Sequence, residues 1–475
     1  MVPKRSCPCF RGLAAAAALV LALGLLLPSC RETEQEDKEL VLRVSNWGGV
    51  NVDTKFMTLE REIREGFEKQ HAGVRVQFEQ IPGVGQYAPK LLMMHVTGSV
   101  PDVATLDASS AAVFIDNGVL RDLTPYIQRD RKFDLSRYFE NVVNIARRGD
   151  KLYAVPLDFT PMMMYYNKRL FDAAGVPYPK PGWTWEEFLV TARSLTVFPA
   201  QAARSAGGQA GQPKTGSEAP QAQDAAAGAP RGTKTLKAEE EVRPTQFGMN
   251  FENFTPFWSM WLWLDGGDVL DPTGKRATGY LDGPKSVEAM QFLVDLMLKY
   301  RVAPTPKETA AAGQNMFRSQ RAAMDLKGHW MMIDFRSDGI DFGAVSLPTN
   351  TGRRVTVIYE SGLAITTKAK HPDLAWEYIK YMTAKDVQIR RVASGLAISA
   401  NKDAATYYAN NEVEDAFIAE VPYARPPWGA TVERYPFIED LLRDMMEDIL
   451  YSEGKVTVEK ALHETAKLID AALVD

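Results

Sequence analysis

The residues whose types and spacing suit chemistry in this chain are its tryptophans and the carboxylates beside them. Trp258, Trp261 and Trp263 fall within six residues, directly before Asp265-Gly266-Gly267-Asp268, while Trp47, Trp330 and Trp428 each stand in glycine- or proline-rich punctuation. A sugar presents flat patches of C–H on one face and hydroxyls around its rim, so aromatic rings supply apolar area and neighbouring carboxylates or amides supply orientation. The same rings also suit a core. Trp376, in the middle of an amphipathic pattern, reads as core, and for Trp261 and Trp263 the two readings are even; Trp47, Trp330 and Trp428 lean to a site.

Other chemistry is poorly represented. The sequence holds no Gly-x-Ser-x-Gly elbow, no His-Glu-x-x-His and no glycine-rich loop ending in Gly-Lys-Ser or Gly-Lys-Thr. The histidines, His71, His95, His329, His371 and His463, are scattered, so no metal is expected. Gly83-Val84-Gly85-Gln86-Tyr87-Ala88 follows a strand and loosely matches a dinucleotide fingerprint, but Pro82 and Pro89 bracket it. It is read as a loop, and no cofactor is expected. A rival class is an exported glycoside hydrolase, whose paired carboxyls would stand about 5 Å or about 6.5–9.5 Å apart across the sugar. Spacing along the chain does not measure that distance.

These groups need a scaffold. With 475 residues, 24% charged and 45% hydrophobic, the chain is long enough for about three domains or two large lobes with cores that need no disulfides. The net charge of −5 carries no basic field, so nucleic acid is not an expected partner.

Lys4, Arg5 and Arg11 precede an uncharged run over residues 13–27, shorter than the roughly 20 residues a membrane span requires. It reads as a signal peptide, residues 1–29. Leu27-Pro28-Ser29-Cys30 resembles a bacterial lipoprotein box, which makes Cys30 the lipid attachment point. Cleavage there removes Cys7 and Cys9 and shifts the charge from −5 to −8 with the loss of Lys4, Arg5 and Arg11. Residues 30–38 then read as a charged tether.

Beyond the tether, Leu40-Val41-Leu42-Arg43-Val44 reads as a strand. A helix over 54–70 carries Phe56, Leu59, Ile63 and Phe67 on one stripe, and 74–78, 90–96 and 102–106 give strand, helix and strand. That order implies a mainly parallel sheet flanked by helices. Residues 199–243, rich in Ala, Gly, Gln, Pro and Ser, cannot bury a core and read as a disordered insertion, or alternatively as a linker. Patterning resumes with helices over 286–300, 373–383 and 456–473 and strands over 343–348 and 362–366.

Trp47-Gly48, Gly98-Ser99-Val100-Pro101-Asp102-Val103, Asn117-Gly118-Val119-Leu120-Arg121-Asp122-Leu123 and Tyr153-Ala154-Val155-Pro156 stand in order. They are followed by Tyr165-Tyr166-Asn167-Lys168-Arg169-Leu170-Phe171, Trp183-Thr184-Trp185-Glu186-Glu187-Phe188, Gly328-His329-Trp330 and Ala375-Trp376-Glu377-Tyr378-Ile379. Together they resemble the extracellular solute-binding proteins of family 1, the maltodextrin-binding-protein-like receptors of carbohydrate importers.

The resemblance implies an α/β, two-lobed periplasmic-binding-protein fold of type II, each lobe a mainly parallel sheet flanked by helices. Lobe one would take residues 39–156 and 362–410, and lobe two 157–361 and 411–475, hinged near Pro156-Leu157 and Ser361-Gly362. It implies a monomeric receptor, lipid-anchored outside the cytoplasm, that captures a sugar or oligosaccharide and delivers it to ABC permease subunits. A peptide, polyamine or glycerol phosphate is the alternative solute. By position in the motifs, Tyr166, Trp330 and Trp428 would offer rings, Asp107 and Ser109 polar groups, and Asp158 and Glu360 carboxylates at the hinge crossings; Trp47, Trp258 and Trp261 complete the expected set. His329 and the flexible run Met162-Met163-Met164 depart from the family pattern.

Overall fold

In the computed structural model, the described residues are 39–48, 54–82, 84–199, 243–395, 397–408, 411–432, 434–452 and 454–474. The signal peptide, Cys30, the tether and nearly all of the 199–243 insertion lie outside them.

Alternation along β1 (Leu40–Gly48) buries Leu42 and Val44, and the helix Thr54–Gln70 turns Ile63 and Phe67 onto the same core. The Phe67 ring meets Tyr378 of the Pro372–Thr383 helix edge-on at 5.1 Å. β2 (Val74–Pro82) and β3 (Val103–Asp107) flank β1 in parallel. Between them the structure corrects the expected loop at 83–88: a helix already runs over Val84–Val96 with Pro89 inside it. Tyr87 and Leu91, four apart, are fully buried on its inner face, and that burial outweighs the hydrogen bond Pro89 cannot make.

A short hairpin, β4 (Arg147–Arg148) with β5 (Lys151–Leu152), leads into β6 (Val155–Pro161). The larger sheet runs β11–β6–β10–β3–β1–β2, where β10 is Thr356–Ile365 and β11 is Ile398–Ser399; β12 (Ala424–Arg425) pairs with the start of β10. β10 is antiparallel to both β3 and β6, with a register shift at Ser361/Gly362. A smaller sheet has β7 (Met163–Asn167) between β8 (Met324–Lys327) and β9 (Phe342–Val345), and both its pairings are antiparallel. The parallel core is therefore confined to the larger sheet. The strands of the smaller one meet from distant parts of the chain, with no βαβ crossover to set a common direction.

Two large hydrophobic clusters follow from this layout. One is built on the larger sheet around Leu42, Val103, Phe159, Ile365 and Trp376; the other gathers Trp185, Phe188, Trp261, Leu293, Leu442 and Leu462. β6 passes through Met162 into β7, and β10 changes cluster between Val357 and Ile358, so these two strands tie the clusters together. The helix Thr255–Asp265 is apolar on all sides and wholly buried in the second cluster. Val197 and Gln246 pair backbone to backbone at 2.9 Å, so the two described segments that end at 199 and resume at 243 lie side by side.

Candidate functional site

The site grows from the carboxyl end of β3. Asp107 ends the strand and caps the turn Ala108–Ser110, its carboxylate accepting the Ser109 N–H at 3.3 and 3.4 Å. In register, Asp107 faces Ser361 of β10, and Ser361 faces Asp158 of β6. Three neighbouring strands thus bring Asp107, Asp158 and Glu360 to one region of the sheet. Burial pushes Asp107 up to about 6, the Ser109 N–H opposing it. Glu360 is 3% exposed, and neither of its carboxylate oxygens has a hydrogen-bond partner. Burial, then the charges of Asp107 and Asp158, push it well above the carboxylate range.

The opposite side comes from the C-terminal part of the chain. The turn Trp428–Thr431 packs on Ala108–Ser110 and on the following helix Ala111–Asp116. Its Trp428 ring is 4.9 Å from that of Tyr435, the first residue of the helix Tyr435–Tyr451. Gly429 makes this approach possible, because a Cβ there would stand 1.8 Å from the Tyr435 ring. Glu439, one turn along, accepts the Thr255 N–H at 3.2 Å, and burial pushes its carboxyl up to about 7. The Ser109 hydroxyl, Asp107 and Glu439 all act electrostatically on the Tyr359 and Tyr435 phenols. Trp330 meets Tyr359 edge-on at 6.3 Å and lies over Gly328, where a Cβ would come within 2.2 Å of its ring. Asp107, Ser109, Tyr359, Glu360, Trp428, Tyr435 and Glu439 therefore form one polar and aromatic cluster between β3, β10 and the helix Tyr435–Tyr451, with Trp330 on its Tyr359 side.

The other expected residues sit elsewhere. Trp47, half-buried at the end of β1, packs edge-on against Tyr87 at 5.6 Å. Asp158 receives the Arg391 guanidinium at 2.8 Å, and Arg391 also pairs with Glu60. Tyr166 is 4% exposed, packed on Gly343, Phe171 and Tyr178. Trp258 and Trp261 are each 1% exposed. Trp261 packs tilted or edge-on among Trp185, Phe188 and Phe292, and both tryptophans border a cavity with room for about one water beside Asn250 and Asp325. His329 is buried, its Nε2 2.6 Å from Glu414. Sequence reading missed Tyr359, Tyr435 and Glu439, which no motif or spacing distinguishes from other surface-pattern residues. Among the described residues no group of His, Cys, Asp and Glu is placed to hold a metal ion, and no helix is long and apolar enough to cross a membrane.

The model of the bacterial extracellular solute-binding protein family matches residues 62–420. A Brucella abortus binding protein is 21% identical over 418 residues, covering 87% of this chain and 89% of its own. Among solved structures, an ABC substrate-binding protein from Listeria monocytogenes in complex with cycloalternan superposes with a TM-score of 0.74 at 21% identity, covering 92% of this chain and 99% of that one. The GacH receptor of Streptomyces glaucescens, solved unliganded and with acarbose, gives 0.70 at 20% identity over 92% and 98%. UgpB from Mycobacterium tuberculosis in complex with glycerophosphocholine gives 0.70 at 17% over 91% and 98%.

Proposed function

The chain belongs to the bacterial extracellular solute-binding proteins, and from that premise we propose that it is the receptor of an ABC importer, capturing a sugar or short oligosaccharide between two lobes. The observation that carries this reading is the cluster around Ser109, where indole and phenol rings stand beside carboxyls with unfilled hydrogen-bonding capacity. Rings of this kind cover the C–H faces of a pyranose, and the carboxyls and Ser109 receive its hydroxyls. Asp107, Ser109, Trp330, Glu360 and Trp428 serve as contacts.

Lobe one takes residues 39–156 and 362–410, lobe two 157–361 and 411–475, and β6 and β10 act as the hinge. Closure about those strands buries the solute, and the closed form docks on the permease subunits. The protein acts as a monomer, anchored outside the cytoplasm by lipid on Cys30, and it binds without making or breaking bonds.

The test is a titration of the chain from Arg31 onward with mono- and oligosaccharides, polyols and peptides. Tryptophan fluorescence and melting temperature are followed together, because a ligand of the folded state must raise its stability. A saturable response to one sugar class, with the sugar recovered unchanged, is expected. Silence towards every sugar, or release of product, overturns the proposal.

A further inference from the structure

The charges around the cluster are one-sided. Asp107, Glu360 and Glu439 come from β3, β10 and the helix Tyr435–Tyr451, and burial is the leading influence on all three. The groups acting on Glu360 are Asp107 and Asp158. Those acting on Glu439 are Tyr435, Thr255 and, from its own helix, Arg443, which already pairs with Asp440. Three further arginines are committed elsewhere: Arg391 to Glu60 and Asp158, Arg425 to Asp268 at 2.9 Å, and Arg148 to the carbonyl oxygens of Arg147 and Ala430.

Hydrogen bonding is unbalanced in the same place. Both oxygens of Glu360 and, in the same cluster, Trp428 Nε1 are buried without a partner, whereas the Tyr359 phenol is reached by the Ser109 hydroxyl and the Glu439 carboxyl by Tyr435 and Thr255. Trp428 is 6% exposed. Unpaired buried carboxyls are costly and mark a place where a ligand supplies what the protein omits. The missing complement is a cation rich in N–H donors with an apolar face. The carboxyls are too dispersed to form a metal site, whereas an ammonium carried on a ring spans such a gap and offers its face to Trp428.

Building on the sugar-receptor reading, we propose that the solute is an amino sugar whose protonated amine is received among Asp107, Glu360 and Glu439 while Trp428 and Tyr359 line its ring. An anionic solute such as a phosphate ester is disfavoured by the same carboxyls. Binding drives the carboxyls to their charged form, so protons are released as the amine enters.

The experiment is isothermal titration at pH 7 with glucosamine and its β-1,4 disaccharide. N-acetylglucosamine, glucose and cellobiose are the comparisons, and spermidine is the non-sugar amine. Two buffers of different ionisation enthalpy count protons. The expected result is an amine preference of about tenfold or more over the acetylated and neutral sugars, the span of one charge-assisted contact, with proton release. That preference should fall to about threefold or less in Glu360→Gln and in Glu439→Gln. The melting curve of each unliganded variant shows whether it is folded, and two variants keep the test independent of one site. Neutral sugars binding as tightly as the amine overturn the amine inference and leave the sugar receptor standing. Spermidine binding with no sugar binding overturns the sugar reading itself.

Discussion

Replacing Glu439 by glutamine should stabilise the unliganded protein at alkaline pH and leave it nearly unchanged in acid. The folded protein holds the Glu439 proton up to about 7, against an ordinary value of 4.5. Over that interval the folded state binds more protons than the unfolded one, so stability present below about 4.5 is lost as pH rises towards 7. At about 1.4 kcal/mol for each tenfold change, the loss has a ceiling of about 3 kcal/mol, and partial exposure of the side chain reduces it to about 2 kcal/mol. Glutamine keeps an oxygen for the Thr255 N–H and removes the charge, which reproduces the protonated state at every pH. Urea unfolding followed by circular dichroism should place the variant about 2 kcal/mol above the wild type at pH 8 and within about 0.5 kcal/mol at pH 4.5. Asp107 and Glu360 titrate in the same direction, but they contribute equally to both proteins and cancel in the difference. A variant less stable than the wild type at pH 8, or a gap that does not change with pH, would show that Glu439 is not held protonated by burial.

Arg391→Met leaves Asp158 and Glu60 facing each other without their guanidinium and should cost about 3–5 kcal/mol in denaturant unfolding at pH 8, part of which Asp158→Asn in the same chain restores. A neutral Arg391→Met would mean that this ion pair does not hold the helix Lys385–Val392 to β6. Trp330→Ala should weaken sugar binding about tenfold to a hundredfold while the midpoint of unfolding stays close to wild type, because the ring is only half-buried. Gly429→Ala drives a methyl into the Tyr435 ring and should cost about 1–3 kcal/mol in the same denaturation assay; retention of full stability would place Tyr435 elsewhere.

Much of this architecture is legible in the chain because period and composition are local properties. The stripe Phe56, Leu59, Ile63 and Phe67 gives a helix over 54–70, and the helix forms over Thr54–Gln70. The resemblance carried by the ordered motifs agrees with the matched family and with the two-lobed fold. Local rules failed where tertiary packing decides. Pro82 and Pro89 argue for a loop, yet burial of Tyr87 and Leu91 carries a helix through Pro89. The site is harder to read for the same reason. Trp258 and Trp261 share with Trp428 a suitable chemistry, but only the helix that carries them, buried on every side, reveals that they face a core. Tyr359 and Glu439 are eighty residues apart in the sequence, and only the passage of β10 past the helix Tyr435–Tyr451 brings their side chains into electrostatic contact.

The most direct measurement is the radius of gyration by small-angle X-ray scattering, with and without a saturating sugar identified by titration. The sample is chromatographed afterwards to show the sugar unchanged. A receptor that closes about β6 and β10 becomes more compact on binding and returns its ligand intact. An unchanged radius at saturation, or conversion of the sugar, would contradict capture by lobe closure.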